Sequence, residues 1–479
     1  MGAILDIERK SARARIFLAF VYGILALGAA TMVYPFAVMI AGSLSSSYDY
    51  ERHTPVVAGF FDEDDRFVRS LATHFDHFPH EVYPDAPGEW TTWNEVAKDR
   101  ERADGFARRE LAPYRNPSGT FLDDARRRAD GFLASLAAAD PRTLYCRYDP
   151  RDVPGFCEDR YGSVDAMNAA WAVPHKSFFD VSFRAEARLT ADSKPDDPEK
   201  FAAFEALAKS YVTKAVESGD HVSRTLPRDF AANAAEIRNA LAVQFVDHGR
   251  RDFWRDAFSN YATVGEYLFV RGRAFVNTLI LVILSVLASL TVNPLAAYAL
   301  SRFRMRSTER ILLFLLATMA FPAAVTAIPG FLLLRDLGLL NTFAALVLPS
   351  VASGMSIFIL KGFFDALPRE LYEAAAIDGA SEWTVFRRIT LPMTTPILAV
   401  NALNAFIHAY ASWEWAFLVC HRESHWTLAV WMYQMASETF IGQPWCVMAG
   451  FVLVSIPTAV VFLLCQKVIL RGIVLPSMK

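Results

Sequence analysis

The polar stretch LPRELYEAAAIDGASEWTVFRRITLP, residues 367–392, determines how the rest of the chain is interpreted. Pro368 is suited to open a helix, because the backbone N–H that proline lacks has no partner in the first helical turn. Glu370 and Glu373 follow, and negative side chains are favoured near the positive N-terminal end of a helix dipole. Gly379 then provides a helix stop. The pattern predicts a short polar helix, bounded by turns, that lies across a membrane surface.

Long apolar runs flank this stretch. A hydrocarbon core about 30 Å thick is crossed by roughly 20 apolar residues in a helix, since unsatisfied backbone groups are not tolerated there. Pro322 and Pro329 interrupt one of the runs and predict a kink in it. We predict an all-α polytopic membrane protein with six transmembrane helices, at Ile16–Ala41, Phe275–Leu300, Ile311–Leu334, Phe343–Phe364, Ile397–Val419 and Cys446–Leu470.

Basic residues in the short links predict the orientation. Lys and Arg are held preferentially on the cytoplasmic side of a membrane. They cluster in the N-terminal arm, in the link 301–310 and in the C-terminal tail. Six alternating helices place these three clusters on one side, so both termini are expected in the cytoplasm. The first apolar run exceeds the usual signal-peptide core of about 7–15 residues, and we expect it to be a retained helix.

The block between the first two apolar runs has the composition of a soluble domain. It is rich in charged residues and long enough to fold by itself. Apolar residues recur at helical spacing in stretches such as FLDDARRRADGFLASLAAA, residues 121–139, and some strand is expected around residues 176–189. The predicted division is 1–44 for the cytoplasmic N-terminus and first transmembrane helix, 45–266 for a mainly helical extracytoplasmic (periplasmic) domain inserted after it, and 267–479 for a core of five transmembrane helices.

The polar stretch resembles the EAA motif of binding-protein-dependent ABC importer permeases. The motif residues stand at the family's spacing and are Glu373, Ala374, Ala375, Gly379, Ile389, Leu391 and Pro392. The resemblance covers residues 275–471 and the first apolar run with YPFAVMIAGSLSSS, and it points to the maltose-type carbohydrate branch, whose typical members lack the large insert. It implies that residues 368–392 form a coupling segment that fits a groove of a cytoplasmic ATPase subunit. The implied ATPase-coupling residues are Glu370, Glu373, Ala374, Ala375, Asp378 and Gly379.

The same resemblance implies a multi-subunit importer in the bacterial cytoplasmic (inner) membrane. Its implied partners are an ABC ATPase dimer, a second permease subunit, either different or a second copy, an extracytoplasmic solute-binding protein and membrane lipid, with no nucleic acid. The sequence contains no GxxxxGK[ST] nucleotide-binding loop, so ATP and magnesium are expected on the partner ATPase and no cofactor on this chain. The expected function is a carbohydrate translocation pathway, and the chain is expected to be a transport subunit and not an enzyme.

Two alternatives remain open. One is a permease for another small polar solute, and the other is a membrane-anchored extracytoplasmic protein that binds or hydrolyses carbohydrate. RYGSVDAMNAAW, residues 160–171, resembles a pattern found in some glycoside hydrolases of the beta-galactosidase class. No pair of catalytic carboxylates with supporting context accompanies it. We interpret this stretch as a helix-and-turn packing element and predict no catalytic residue.

Polar residues in the fifth apolar run are candidates for lining a pathway. Asn401, Asn404, His408 and Trp415 recur at steps of three, four and seven, which places them on one helical face. Polar side chains in membrane helices tend to face the protein interior or water, and amides with an aromatic ring suit a polyhydroxylated solute. The alternative is polar contact between packed helices.

The insert contains cysteines and histidines that could form further sites. Cys146 and Cys157 bracket a turn-forming sequence on the expected oxidising side, which predicts a disulfide, with unlinked thiols as the alternative. His74, His77 and His80 lie close together in HFDHFPHE. Their spacing is not specific for zinc, and we predict no metal site.

Overall fold

The computed structural model divides the chain into two compact units between Thr263 and Val264. The N-terminal unit contains the first apolar run and the insert, and the C-terminal unit contains the remaining apolar runs. The structure describes residues 12–52, 57–74, 79–83, 86, 90, 92–146, 148, 152–171, 174–175, 178–189, 193–218, 225–270, 273–303, 306–440 and 442–473.

The N-terminal unit is mainly helical, as predicted. Its helices are α1 (Ala12–Ser43), α2 (Ser47–Glu51), α3 (Glu63–His74), α4 (Pro79–Val82), α5 (Trp93–Lys98), α6 (Arg100–Arg115), α7 (Phe121–Ala138), α8 (Asp152–Tyr161), α9 (Val164–Ala170), α10 (Pro198–Ser218) and α11 (Phe230–Gly265). Two short strands, β1 (Leu144–Cys146) and β2 (Thr225–Pro227), pair antiparallel with Leu144 opposite Pro227.

Two hydrophobic cores stabilise the insert. The first includes Phe67 of α3, Leu111 of α6 and Ile237 of α11, and the second includes Met167 of α9 and Phe183. All five side chains are fully buried. Burial of a large apolar side chain contributes about 1.5–3 kcal/mol, so each core can hold its helices together.

The strand expected around residues 176–189 is a wrong prediction for the described part of that segment. Residues 178–180 and 186–188 form short 3₁₀ turns, and the strands lie instead at β1 and β2. Val181 and Phe183 are apolar residues that are buried in the second core. These two side chains therefore pack in a core and do not belong to a strand.

The RYGSVDAMNAAW stretch forms a packing element, as interpreted. Gly162 has a φ of +71° in the turn between α8 and α9, a left-handed conformation that glycine adopts without strain. The Ser163 hydroxyl accepts a hydrogen bond from the Ala166 N–H at 3.2 Å and caps α9. Trp171 is buried in the second core, and its indole N–H donates to the Tyr161 hydroxyl at 3.1 Å.

The predicted disulfide is not formed in this structure. Cys146 and Cys157 are both buried in the second core, where the Thr225 hydroxyl lies 3.9 Å from the Cys146 sulfur. Burial raises the pKa of the Cys157 thiol to about 11, so the group is protonated at neutral pH. The two sulfurs thus serve as small apolar groups. Of the histidine cluster, His77 lies outside the described residues.

The helix α1 has the composition of a membrane span. Its segment Ile16–Ser43 has 28 residues, a mean hydropathy of 2.3 in its most apolar window and no burial of that window. Exposed apolar surface of this length suits a hydrocarbon surrounding.

The C-terminal unit is also helical. Its helices are α12 (Ala274–Arg302), α13 (Thr308–Thr318), α14 (Ala323–Asp336), α15 (Phe343–Val347), α16 (Gly354–Asp365), α17 (Arg369–Ile377), α18 (Glu382–Val385), α19 (Leu391–Met393), α20 (Thr395–Ala411), α21 (Trp413–Val419), α22 (Leu428–Gln434) and α23 (Pro444–Ile473). Single π-helical turns occur at 266–270, 386–390 and 435–439, and the second of them joins α18 to α19.

Fewer uninterrupted spans are present than the six apolar runs predict. In the described residues, three helices are long and apolar enough to cross a membrane, α1, α12 and the part of α23 up to Gln466. The number rises to five if each of two bent helix pairs, 343–350 with 354–365 and 382–393 with 395–411, is one span. The predicted run 311–334 is two helices, α13 and α14, because the chain leaves the helix before Pro322, which caps α14.

Candidate functional site

The helix α17 lies in the predicted coupling segment and begins and ends where the sequence indicated. Pro368 occupies the N-cap, and Glu370 lies in the first turn. The helix ends at Ile377 with Asp378 as its C-cap, and Gly379 follows with a φ of +72°. The Ala380 N–H donates to the Ala375 carbonyl at 2.9 Å across this turn. Glycine fits here because other residues pay a steric cost in the left-handed region.

The two faces of α17 differ in environment. Tyr372 and Ala375 are buried against the rest of the unit. Glu373 and Ala374 are exposed on the other face, and Ile377 is 86% exposed. A helix with acidic, small and apolar side chains on its exposed face presents a surface suited to a protein partner.

We call the exposed side chains of Glu370, Leu371, Glu373, Ala374, Ile377, Asp378 and Trp383 the outer surface of the coupling segment. Trp383 is 60% exposed and lies next to Phe386, with ring centroids 5.7 Å apart. Small residues allow close approach, the carboxylates can pair with basic groups, and the large apolar side chains supply contact area.

The buried side of the coupling segment packs against the last turns of α12. The guanidinium carbon of Arg302 lies 4.0 Å from the ring centroid of Tyr372, a cation–π arrangement. The Tyr298 hydroxyl donates to the Glu382 carboxylate at 2.5 Å, and its ring packs edge-on against Phe386 at 5.0 Å. These contacts hold both α17 and α18 against one long apolar helix.

The sequence did not indicate these α12 contacts. Tyr298 and Arg302 are four residues apart and therefore on one face of α12, which is the only local signal available. The Tyr372 hydroxyl also lies 3.2 Å from the Thr390 hydroxyl, so one side chain joins α17, α12 and the π-helical turn. Residues this far apart in sequence meet only through tertiary structure.

The four predicted pathway residues do not share one helical face. The helix α20 ends at Ala411, and Trp415 belongs to the separate helix α21. The Trp415 indole N–H donates to the Ala345 carbonyl at 3.0 Å. This part of the prediction is wrong because it assumed a continuous helix through Ser412.

Asn401 also lies in an interhelical contact. It is buried, and its amide donates to the Ser289 hydroxyl of α12 at 3.3 Å. Asn293 donates to the same hydroxyl at 2.9 Å, and its carbonyl accepts from the Ser353 N–H at 2.9 Å. This buried polar group links α12, α20 and the start of α16, which corresponds to the packing alternative.

Asn404 and His408 remain exposed on α20. They are four residues apart and therefore on one face of the helix. Polar side chains are costly against lipid, so this face is suited to water or to another subunit. No group of three His, Cys, Asp or Glu side chains able to hold a metal occurs within the described part of the chain.

Comparison with known proteins identifies the C-terminal unit. Residues 292–474 match the family model for binding-protein-dependent transport system inner membrane components. The chain is 31% identical over 219 residues to the diacetylchitobiose uptake system permease protein of Streptomyces coelicolor, covering 45% of this chain and 72% of that protein. It is 30% identical over 224 residues to the lactose transport system permease protein of Rhizobium radiobacter, with 47% and 81% covered. It is 32% identical over 215 residues to the sn-glycerol-3-phosphate transport system permease protein of Yersinia pestis, with 45% and 76% covered.

Proposed function

The chain belongs to the family of binding-protein-dependent transport system inner membrane components, and from this premise we propose that it is a permease subunit that carries carbohydrate through an ATP-driven importer. The observation that carries the mechanism is the two-sided coupling segment. Its outer surface is free of the rest of the unit at Glu373 and Ile377, while Tyr372 on the other face contacts Arg302. A partner that pushes on the outer surface would therefore move α12.

The proposed partner at this surface is an ATPase subunit that holds ATP and magnesium. Glu373 would pair with a basic side chain, Ala374 would allow close approach, and Ile377 would enter an apolar pocket. The main steps assigned to this chain are to receive that movement and to pass it to the apolar helices. The remaining proposed partners are a second permease subunit and an external solute-binding protein.

The face of α20 with Asn404 and His408 is the proposed pathway lining. An amide both donates and accepts hydrogen bonds, and an imidazole adds a further donor or acceptor, which suits a solute with many hydroxyl groups. Asn401 is assigned to helix packing because its amide bonds Ser289. Trp415 is likewise assigned to packing because it bonds the Ala345 carbonyl.

The solute class is inferred from the relatives. Two of the reported relatives are named for uptake of the sugars diacetylchitobiose and lactose. A third is named for sn-glycerol-3-phosphate, which supports a small polar solute of another kind as the second candidate. The proposed orientation places the insert outside and both termini in the cytoplasm of the inner membrane.

A charge reversal tests the coupling proposal. We expect Glu373→Lys to reduce both ATPase co-purification and ATP-dependent uptake in proteoliposomes, because it repels the basic partner group. Glu309→Lys is the matched control, since it makes the same charge change at an exposed position of α13. Gly379→Val is expected to act in the same direction as Glu373→Lys, because a left-handed valine costs roughly 1–2 kcal/mol.

Unchanged uptake and co-purification in both Glu373→Lys and Gly379→Val would refute coupling through this segment. The solute is tested separately by thermal-shift screening of the partner binding protein against disaccharides, amino-sugar oligomers and glycerol phosphate. Stabilisation by glycerol phosphate alone would refute the carbohydrate assignment and leave the coupling proposal standing.

A further inference from the structure

A continuous series of aromatic rings runs along one side of the N-terminal unit. Ring centroids lie 6.5 Å apart for Phe61 and Phe60, 5.1 Å for Phe60 and Trp254, 5.9 Å for Trp254 and Phe258, and 6.0 Å for Phe258 and Tyr261. We call these five residues the aromatic strip. Phe61 is 86% exposed, Phe258 53% and Trp254 43%. Such a cluster of exposed rings marks a surface for contact with something less polar than water.

One end of the aromatic strip is hydrogen-bonded to the end of α1. The Tyr261 hydroxyl lies 2.5 Å from the Ser43 hydroxyl. The Asn260 amide donates to the carbonyls of Ser43 and Ser45, each at 2.9 Å. The last carbonyls of a helix lack partners within the helix, so these bonds complete the end of α1 and fix α11 beside it.

The side of α1 next to this junction is apolar and exposed up to its last turns. Phe36 and Ile40 are each more than half exposed, and Ser43 is the last residue of the helix. Exposed apolar side chains on a membrane span face lipid. The aromatic strip therefore begins where the lipid-facing surface of α1 ends, and it continues that surface.

The dimensions fit the headgroup layer. At 1.5 Å per residue, Phe258 lies about 4.5 Å and Trp254 about 10 Å from Tyr261 along the axis of α11. The polar layer on each side of a bilayer is about 5–8 Å thick. With α11 along the membrane normal, Phe258 would lie within that layer, where aromatic rings are favoured, and Trp254 a few ångströms beyond it.

We propose that the aromatic strip is a membrane-contact surface, through which the inserted domain rests on lipid headgroups beside α1. This contact would limit tilting of the insert about the end of α1. The inference does not depend on transport, on the solute or on the side of the membrane that the insert occupies.

The test measures the depth of three labels in the full-length chain. Phe258→Cys, Trp254→Cys and Asp123→Cys are each labelled with bimane in a Cys465→Ser background, since the other native cysteines are buried. The chain is reconstituted into vesicles of phosphatidylethanolamine and phosphatidylglycerol, with and without lipid carrying a nitroxide just below the headgroup. Asp123 is the control because it lies far from the proposed contact. Its carboxylate is 3.8 Å from Arg126, and Arg126 binds Asp247 of α11. Asp247 is about 21 Å from Tyr261 along the axis of α11.

We expect the label at Phe258 to lose more than about half of its emission to the nitroxide, because rings at the interface lie within its reach. The label at Trp254 should lose less, and the label at Asp123 should not change. Quenching at Phe258 no stronger than at Asp123 would overturn the proposal and assign the aromatic strip to a protein partner. If the Phe258→Cys chain does not insert into the vesicles, the label at Trp254 takes its place. Quenching at Trp254 no stronger than at Asp123 would then overturn the proposal.

Discussion

At the residue scale, the contacts of Tyr298 and Tyr372 explain how a short surface helix can act on a long membrane helix. Tyr372 is buried beneath Arg302, and Tyr298 donates to the Glu382 carboxylate. The second contact is charge-assisted, and such bonds are stronger than those between neutral groups. Because the two contacts hold different helices of the segment, neither α17 nor α18 can shift without moving the end of α12.

Removal of the Tyr298 hydroxyl should weaken this transmission. Tyr298→Phe keeps the ring against Phe386 and loses the bond to Glu382, a change of about 1 kcal/mol for a partly exposed pair. We expect ATPase co-purification to persist while the number of solute molecules transported per ATP hydrolysed falls. The ratio is measured in proteoliposomes that contain the complete importer.

Tyr410→Phe is the matched control for that experiment. Its hydroxyl donates to the Val454 carbonyl at 2.7 Å, away from the coupling segment. The same atom is therefore lost from another apolar helix of the unit, and the transport ratio should stay at the wild-type value. Equal ratios in Tyr298→Phe and wild type would show that this hydroxyl plays no part in coupling.

The thiol of Cys157 should be unreactive in the native protein. Burial raises its pKa above the usual value to about 11, so the reactive thiolate is scarce at neutral pH and labelling should stay slow until the pH approaches that value. Maleimide labelling followed by mass spectrometry should find Cys157 unmodified in the native chain and modified in denaturant without reductant. Protection in denaturant that only a reductant removes would instead demonstrate the disulfide.

The sequence predicted where α17 begins and ends but not the contacts that hold it in place. Pro368 favours the start of a helix, Glu373 is favoured by the helix dipole, and Gly379 favours the end of a helix. Each of these effects depends on neighbouring residues only, so the sequence is enough to predict it. Tyr298 and Arg302 contribute through contacts with Glu382 and Tyr372, which lie 84 and 70 positions later, and no local pattern encodes such contacts. The bond between Asn401 and Ser289 could not be predicted for the same reason, since Ser289 lies on another helix.

At the element scale, α20 separates packing from the proposed pathway. Asn401→Leu should lower the melting temperature of the purified chain, because it removes a buried interhelical bond worth about 0.6 kcal/mol in membrane proteins. Asn404→Leu should leave the melting temperature unchanged and reduce uptake, since its side chain is exposed. Reduced uptake in Asn401→Leu without any change in melting would contradict this assignment.

A buried ion pair should control the stability of the insert near α2 and α3. The Arg69 guanidinium lies 2.8 Å from the Asp49 carboxylate, with 3% of each side chain exposed. Arg69 also donates to the Leu44 carbonyl and lies over the Phe253 ring. Arg69→Ala should lower the free energy of unfolding by about 3–5 kcal/mol, because the buried Asp49 carboxylate would lose its opposite charge and keep only its two hydrogen bonds from Ser46.

Urea-dependent proteolysis of the full-length chain measures this loss. Arg127→Ala is the control, since its pair with Asp124 is solvent-exposed and such pairs contribute about 0–1 kcal/mol. A loss in Arg69→Ala no larger than in Arg127→Ala would show that the Asp49 carboxylate is not trapped in a buried site.

Helix type was predictable along most of the chain, whereas helix continuity was not. The spacing of apolar residues identifies the amphipathic helices α6 and α7, because one face of each turn is buried. Apolar composition identifies α12, because its turns face lipid or other helices. The interruptions before Pro322 and at Ser412 depend on how neighbouring helices pack. Pro322 is the one local signal, since proline disfavours a continuous helix. The two-strand pair escaped prediction because each strand has only three residues.

At the scale of the whole molecule, the number of membrane crossings between the insert and the coupling segment decides whether the mechanism is possible. In the proposed mechanism an ATPase acts on the coupling segment from the cytoplasm, so an insert on the outside requires an odd number of crossings between the two. The helix α12 and the bent pair 343–365 supply two candidate crossings. The third must come from α13 and α14, which have 11 and 14 residues and cannot separately cross a core of about 30 Å.

We predict that α13 and α14 together form one broken crossing and that the coupling segment and the insert lie on opposite sides. Ile377→Cys and Asp123→Cys place labels on exposed positions of α17 and α7. A membrane-impermeant maleimide should modify position 123 in intact, outward-facing vesicles and position 377 only in inverted ones. Modification of both positions from the same side would mean an even number of crossings. The outer surface of the coupling segment and the insert could then not face opposite compartments, and ATP-driven coupling at α17 would be excluded for this arrangement.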